Sequence, residues 1–135
     1  MSRNEFQWPV RVYYEDTDAA GIVYYANYLR FLERARTEWL RSLGWSQHKM
    51  MQEKLAFVVA EVQAKYMRPA HLDDELIVNC WIENLKRASL EFCQEVRRGD
   101  EILLKGKIRV GCVNTEKMKP ALIPAELIEQ LENKN

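Results

Sequence analysis

Between residues 24 and 43, Tyr28, Leu32, Ala35, Trp39 and Leu43 follow one another at spacings of four, three, four and four. That pattern draws a single apolar stripe along a helix of about 30 Å. Arg30, Glu33, Arg34, Glu38 and Arg41 fall largely on the other side. A helix so long, with one apolar side, has to lay that side on a partner of equal length. Gly44 stands where a C-terminal cap belongs and closes it.

The rest of the chain reads mostly as strand. FQWPVRVYYE (6 to 15) is rich in aromatic and β-branched residues, with Pro9 tolerable on a strand edge. AFVVAEVQAKYM (56 to 67) reads as a second strand, closed by Pro69. Three more are expected at about 75 to 85, 88 to 98 and 101 to 113, a meander turning at LKRA and RRGD. Ser46 caps a short helix running to about residue 54, and a final short helix spans 124 to 131. The order predicts an α+β domain over residues 1 to 135, with one long central helix on one face of a largely antiparallel five-stranded sheet. One helix cannot cover every face and edge of such a sheet, so the same packing logic predicts an oligomer, at least a dimer.

Composition narrows the function classes. Lys plus Arg equals Asp plus Glu at 20 each, so no overall field draws the chain to nucleic acid. The longest apolar run, Leu55 to Ala60, is far short of the roughly 20 residues that span a bilayer. The first ten residues, MSRNEFQWPV, lack the apolar stretch of a secretory signal, and a cytoplasmic setting is expected. Cys80, Cys93 and Cys112 are odd in number and widely spaced, which reads as reduced core thiols. Only His48 and His71 are present, so neither a metal site nor a serine-type triad is expected and chemistry falls to carboxylates.

The richest carboxylate segment is EDTDAAGIVYY (15 to 25), where the first strand hands over to the long helix. Acids there are ordinarily explained by helix capping. Asp18, however, stands about five residues ahead of the expected helix, and Gly21 removes a side chain between them. That spacing leaves room for a ligand beside Asp18. The unpaired N–H groups at a helix N-terminus are suited to hold a carbonyl oxygen as charge develops on it.

The segment RVYYEDTDAAGIVYYANYLRFLERARTEWL (11 to 40), with RPAHLDDEL (68 to 76) and KMKP (117 to 120), resembles the hot-dog thioesterases of the 4-hydroxybenzoyl-CoA thioesterase family. The similarity is greatest to the acyl-CoA thioesterases encoded with the Tol-Pal system, and it covers nearly the whole chain. It implies a hot-dog fold and hydrolysis of acyl-CoA, with CoA as part of the substrate and no separate cofactor. It also implies a homotetramer built as a dimer of dimers, and acyl carrier protein or lipid-synthesis proteins as partners.

Carried over residue by residue, the resemblance implies that Asp18 is the catalytic carboxylate, that the backbone N–H of Tyr25 polarises the thioester carbonyl, and that Gly21 admits the acyl group. The resembling proteins divide between His and Tyr at position 25. Lys86, Arg87 and Ser89 match residues that contact the CoA phosphates in the benzoyl-CoA branch.

The remaining residues carry ordinary readings. Asp16 and Glu15 read as solvated or capping acids, and Glu33, Arg34 and Arg36 as exposed or interface salt bridges. Tyr24, Tyr28 and Trp39 read as core, and Asp73-Asp74 as a turn before a strand. A non-catalytic acyl-CoA or acyl-carrier binding scaffold is the competing function. A dehydratase on this fold requires a helix His, and none occurs before residue 48.

Overall fold

The apolar stripe forms α1, Tyr28–Ser42, in the computed structural model, which describes residues 4–132. Residues 1–3 and 133–135, which the single-domain reading included, lie outside the described residues. Gly44 ends the helix as expected. Its φ of +90° suits glycine, its N–H bonds to Arg41 O at 3.0 Å, and the Trp45 N–H reaches Leu40 O at 2.9 Å. The helix begins later than the periodicity suggested, because Tyr25–Asn27 makes a separate 3-10 turn. Asp16 holds that entry segment by accepting bonds from both the Tyr24 N–H and the Asn27 side chain.

The strands are β1 Phe6–Arg11, β2 Leu55–Tyr66, β3 Glu75–Glu83, β4 Ser89–Arg98, β5 Glu101–Asn114 and β6 Lys119–Pro120. All pair antiparallel in the order β1-β3-β4-β5-β2, with β6 added to β5. The five expected strands are all present. The sheet gains a sixth from KMKP, which was read as a motif and not as a strand; its two residues pair with Val113 and Asn114. β1 stops at Arg11 instead of 15, since the Tyr13 N–H is taken by the Asp16 side chain and residues 14–16 turn away as a 3-10 helix. Pro9 sits on an edge strand, where its missing N–H costs no ladder bond.

Two short helices complete the chain: α2, Gln47–Gln52, capped by Ser46 Oγ on the Lys49 N–H at 3.1 Å, and α3, Ala125–Glu132. α1 buries Tyr28, Phe31, Leu32, Ala35 and Trp39 in one cluster with Leu76, Val78, Phe92, Val96, Leu104 and Ile108 of the sheet. Each such large side chain contributes about 2 kcal/mol. The helix comes so close to β5 that a Cβ on Gly106 would stand 3.2 Å from Leu32 Cδ1. This α+β layout is the hot-dog arrangement that the resemblance implies.

Burial is uneven across the sheet. β3, β4 and β5 carry the core, whereas β2 is exposed from Val58 to Tyr66, with Val58, Val59 and Val62 each more than two-fifths open. Beyond β2 no strand follows among the described residues.

Candidate active site

The carboxylate turn is built around Asp16. This side chain is buried, and its two oxygens accept the Tyr13 N–H at 2.8 Å and the Asn27 amide at 2.7 Å. Reading it as a solvated or capping acid is therefore corrected on solvation, because its carboxylate ties both ends of the loop together from the inside. Glu15 is exposed as expected.

Asp18, two residues on, points outward. Its main chain closes a small hairpin, with the N–H on Ile22 O at 2.9 Å and the carbonyl accepting from Gly21 at 3.0 Å. Its Oδ1 accepts the Ala20 N–H at 2.9 Å, and its Oδ2 has no hydrogen-bond partner among the described residues. Gly21 adopts φ +78°, a conformation that penalises any side chain, and a Cβ there would meet nothing within 4 Å. The hairpin is pinned by the bridges Thr17↔Val23 and Ile22↔His71.

Asp18 precedes the 3-10 turn by seven residues and α1 by ten, not the five expected, since the chain spends the difference on this hairpin. Tyr25 opens the turn, the position at which a helix amide lacks an intrahelical acceptor. The Tyr66 hydroxyl donates to Tyr25 O at 2.9 Å and so fixes the peptide from β2, a contact that the sequence did not announce. Tyr28 and Trp39 are buried as expected. Tyr24 is half exposed and its ring lies tilted against that of Tyr25 with ring centres 4.9 Å apart, so it sits beside Tyr25 at the surface and not in the core.

In a single chain the Asp18 carboxylate faces solvent. A cavity of about 310 Å³ lies at the other end of the sheet, between α1, α2 and the start of β2, lined by Leu40, Trp45, Met50, Leu55, Phe57 and Phe92 among others. Arg36 forms part of its wall. Arg36 is partly buried and makes no ion pair among the described residues: its guanidinium donates to Gln94 Oε1 at 3.0 Å and lies 5.8 Å over the Phe92 ring, and burial pulls its pKa down. Gln94 is buried and passes the network on to Leu32 O at 2.9 Å. Glu33 and Arg34 are exposed, as expected.

Lys86 and Arg87 are exposed at the β3–β4 turn, with the Lys86 N–H on Ser89 O at 2.8 Å. The nine residues of β3 separate this turn from the loop beside Asp18, about 30 Å at 3.3 Å per residue. Within one chain these groups do not meet.

The three cysteines are free and buried, as read from sequence. Burial pushes the Cys80 thiol up to about 12 and Cys93 to about 11, which removes them as nucleophiles near neutral pH. Among the described residues no cluster of three or more His, Cys, Asp or Glu is arranged to hold a metal, and no helix is long and apolar enough to cross a membrane.

A carboxylate hairpin feeding the N-terminus of one long helix, itself laid across an antiparallel sheet, is the layout of a hot-dog thioesterase domain. Residues 12–131 match the thioesterase-like superfamily, and the chain belongs to that family. It is 44% identical over 133 residues to the acyl-CoA thioester hydrolase YbgC of Escherichia coli O6:H1, covering 98% of this chain and 99% of that one. It is 47% identical over 128 residues to the acyl-CoA thioesterase YbgC of Haemophilus influenzae, covering 94% of each. Among solved structures, a probable thioesterase from Bartonella henselae superposes with a TM-score of 0.85 at 34% identity, covering 90% of this chain and all of that one.

Proposed function

We propose that this chain hydrolyses acyl-CoA thioesters to the free acid and CoA, with Asp18 as its catalytic carboxylate. The observation that carries the assignment is the hairpin 17–23: it aims a carboxylate with one unpartnered oxygen outward, a few residues ahead of the Tyr25 amide, in a thioesterase-like chain. A thioester asks little of its enzyme. Its thiolate leaves readily, since thiol pKa values lie near about 8.5, so one base or nucleophile and a donor to the carbonyl oxygen suffice. Asp18 either attacks the carbonyl carbon, giving a mixed anhydride that water then opens, or takes a proton from an attacking water. Incorporation of ¹⁸O into the carboxylate during a single turnover separates the two.

The working site is a composite of two copies. The Asp18 hairpin and the apolar cavity lie near opposite ends of β2, which is 12 residues and about 40 Å long. Antiparallel pairing of two β2 edges sets the start of one strand beside the end of the other. The partner's cavity and its turn 84–88 then stand beside this chain's Tyr25 and Asp18. Lys86, Arg87 and Ser89 serve the CoA phosphates from across that interface, and pairing of such dimers gives the tetramer. Reduced, buried thiols suit a cytoplasmic setting, and acyl carrier or lipid-synthesis proteins are the natural donors of acyl groups.

A thiol-release assay with short, long and aromatic acyl-CoA substrates tests this reading. The wild-type protein turns over at least one class, and Asp18→Asn folds normally but loses turnover by about a hundredfold or more. A fully active Asp18→Asn would remove the carboxylate assignment. Absence of turnover on every substrate would favour the scaffold reading, which the solvent exposure of Asp18 in one chain also fits.

A further inference from the structure

The hairpin that carries Asp18 has few side chains of its own in the core, so something outside it has to fix its direction. Its backbone rests on the loop 68–74: the Val23 N–H reaches Ala70 O at 2.9 Å, the Leu72 N–H reaches Gly21 O at 3.3 Å, and Ile22 bridges His71. The same loop touches α1, where the Ala70 N–H donates to the buried Tyr28 hydroxyl at 2.9 Å. It also touches the end of β1, through Asp73 N–H to Val12 O and Val12 N–H to Asp74 O, both 2.9 Å. The hairpin, α1 and the end of β1 thus meet in seven residues that form no regular structure.

Those residues converge on one cation. Arg98, at the end of β4, donates through Nη1 to Asp74 Oδ2 at 2.7 Å, to Pro69 O at 3.3 Å and towards His71 Nδ1 at 3.4 Å. Its Nη2 holds Glu101 at 2.8 Å, and Glu101 also pairs with Arg68 at 3.2 Å. Asp74 Oδ2 in turn accepts the His71 N–H at 2.8 Å, closing the loop on itself. A planar guanidinium is suited to such a task, because its donors leave in fixed directions and define an orientation that a point charge does not.

We infer that Arg98 is a positioning residue for the thioesterase reaction: through Asp74 and Pro69 it sets the loop 68–74, and that loop sets the direction of the Asp18 hairpin. The inference rests on the assignment of Asp18 above. Arg98 touches no reacting atom, so its removal changes how often the carboxylate is correctly aimed, not how substrate is held. Misaiming of about an ångström is enough to cost one to two orders of magnitude in rate.

The test compares Arg98→Met, Arg98→Lys and Asp74→Asn with wild type and Asp18→Asn on one accepted acyl-CoA, recording kcat, KM, thermal midpoint and oligomeric state. Arg98→Met is expected to lower kcat about tenfold with KM and assembly unchanged and the midpoint within a few degrees. Arg98→Lys restores only part of kcat, because it keeps the charge and loses the fork. Arg98→Met combined with Asp74→Asn falls no further than the worse single variant, as for two parts of one device. A wild-type kcat in Arg98→Met overturns the inference, and so does a loss that appears in KM or follows the thermal midpoint. The two failures are distinct: an inactive Asp18→Asn beside an unaffected Arg98→Met discards only the positioning role, whereas an active Asp18→Asn discards the assignment beneath it.

Discussion

The two ends of the sheet are built by opposite means. At the end where β2 finishes and β3 begins, the chain forms irregular loops whose order comes from hydrogen bonds: Asp16 inside its turn, the backbone hydrogen bonds between 12–23 and 70–74, and Arg98 across three carbonyl and carboxylate oxygens. At the other end, α2 and the start of β2 border a largely apolar cavity whose walls include Trp45, Met50, Leu55 and Phe57. Direction is provided at one end and volume at the other. Hydrogen bonds fix orientation well but leave side chains such as Asp18 facing water, while apolar packing leaves space but aims nothing. A reaction that needs an aimed carboxylate and room for an acyl chain therefore asks for both ends at once, and one chain keeps them a strand's length apart.

The comparison breaks most sharply at residue 18. Asp18→Asn is expected to leave both ends intact and to lower turnover about a hundredfold or more in the thiol-release assay, which separates aim from folding. Next in size is the proposed pairing of two copies along β2. Val62→Lys puts a charge on the exposed strand β2 and is expected to yield monomers by light scattering, with kcat/KM down at least tenfold and the fold retained by circular dichroism. An active monomer would mean that one chain suffices.

Asp16→Ala tests whether the polar end depends on its buried carboxylate. Removing it leaves the Tyr13 N–H and the Asn27 amide without their acceptor, at a cost of about 2 kcal/mol in denaturant unfolding. Lys86→Ala with Arg87→Ala is smaller, a rise of a few-fold in KM for acyl-CoA with kcat unchanged; the same change on an acyl-pantetheine substrate lacking the nucleotide would contradict phosphate recognition.

The gentlest probe is acid. Burial raises the Asp74 carboxyl, but the His71 N–H and the Arg98 guanidinium outweigh it and hold it below its ordinary value of about 3.9. A depressed carboxyl stabilises the fold above that value and loses its effect as pH falls through the folded one. Wild type should therefore lose a little stability below about pH 4 that Asp74→Asn has already lost, read as convergence of their thermal midpoints.

Residue type and spacing decided the larger part of this molecule. The period of α1, the cap at Gly44, the meander after Pro69 and the short helices all follow from local rules, because a helix stripe or a strand run depends on neighbours in sequence. Even Asp18 and Gly21 stood out, since three acids and a glycine in one short stretch are unusual whatever surrounds them. Pairings between distant residues were decided only in three dimensions. Asp16 and Asp18 look interchangeable in EDTD, yet one is buried by Asn27, 11 residues away, and the other is left outside. In the sequence Arg98 is only one residue of the RRGD turn, until β4 brings it to Asp74, 24 residues earlier. A side chain's partner across the fold depends on where whole elements dock, and no local pattern carries that information.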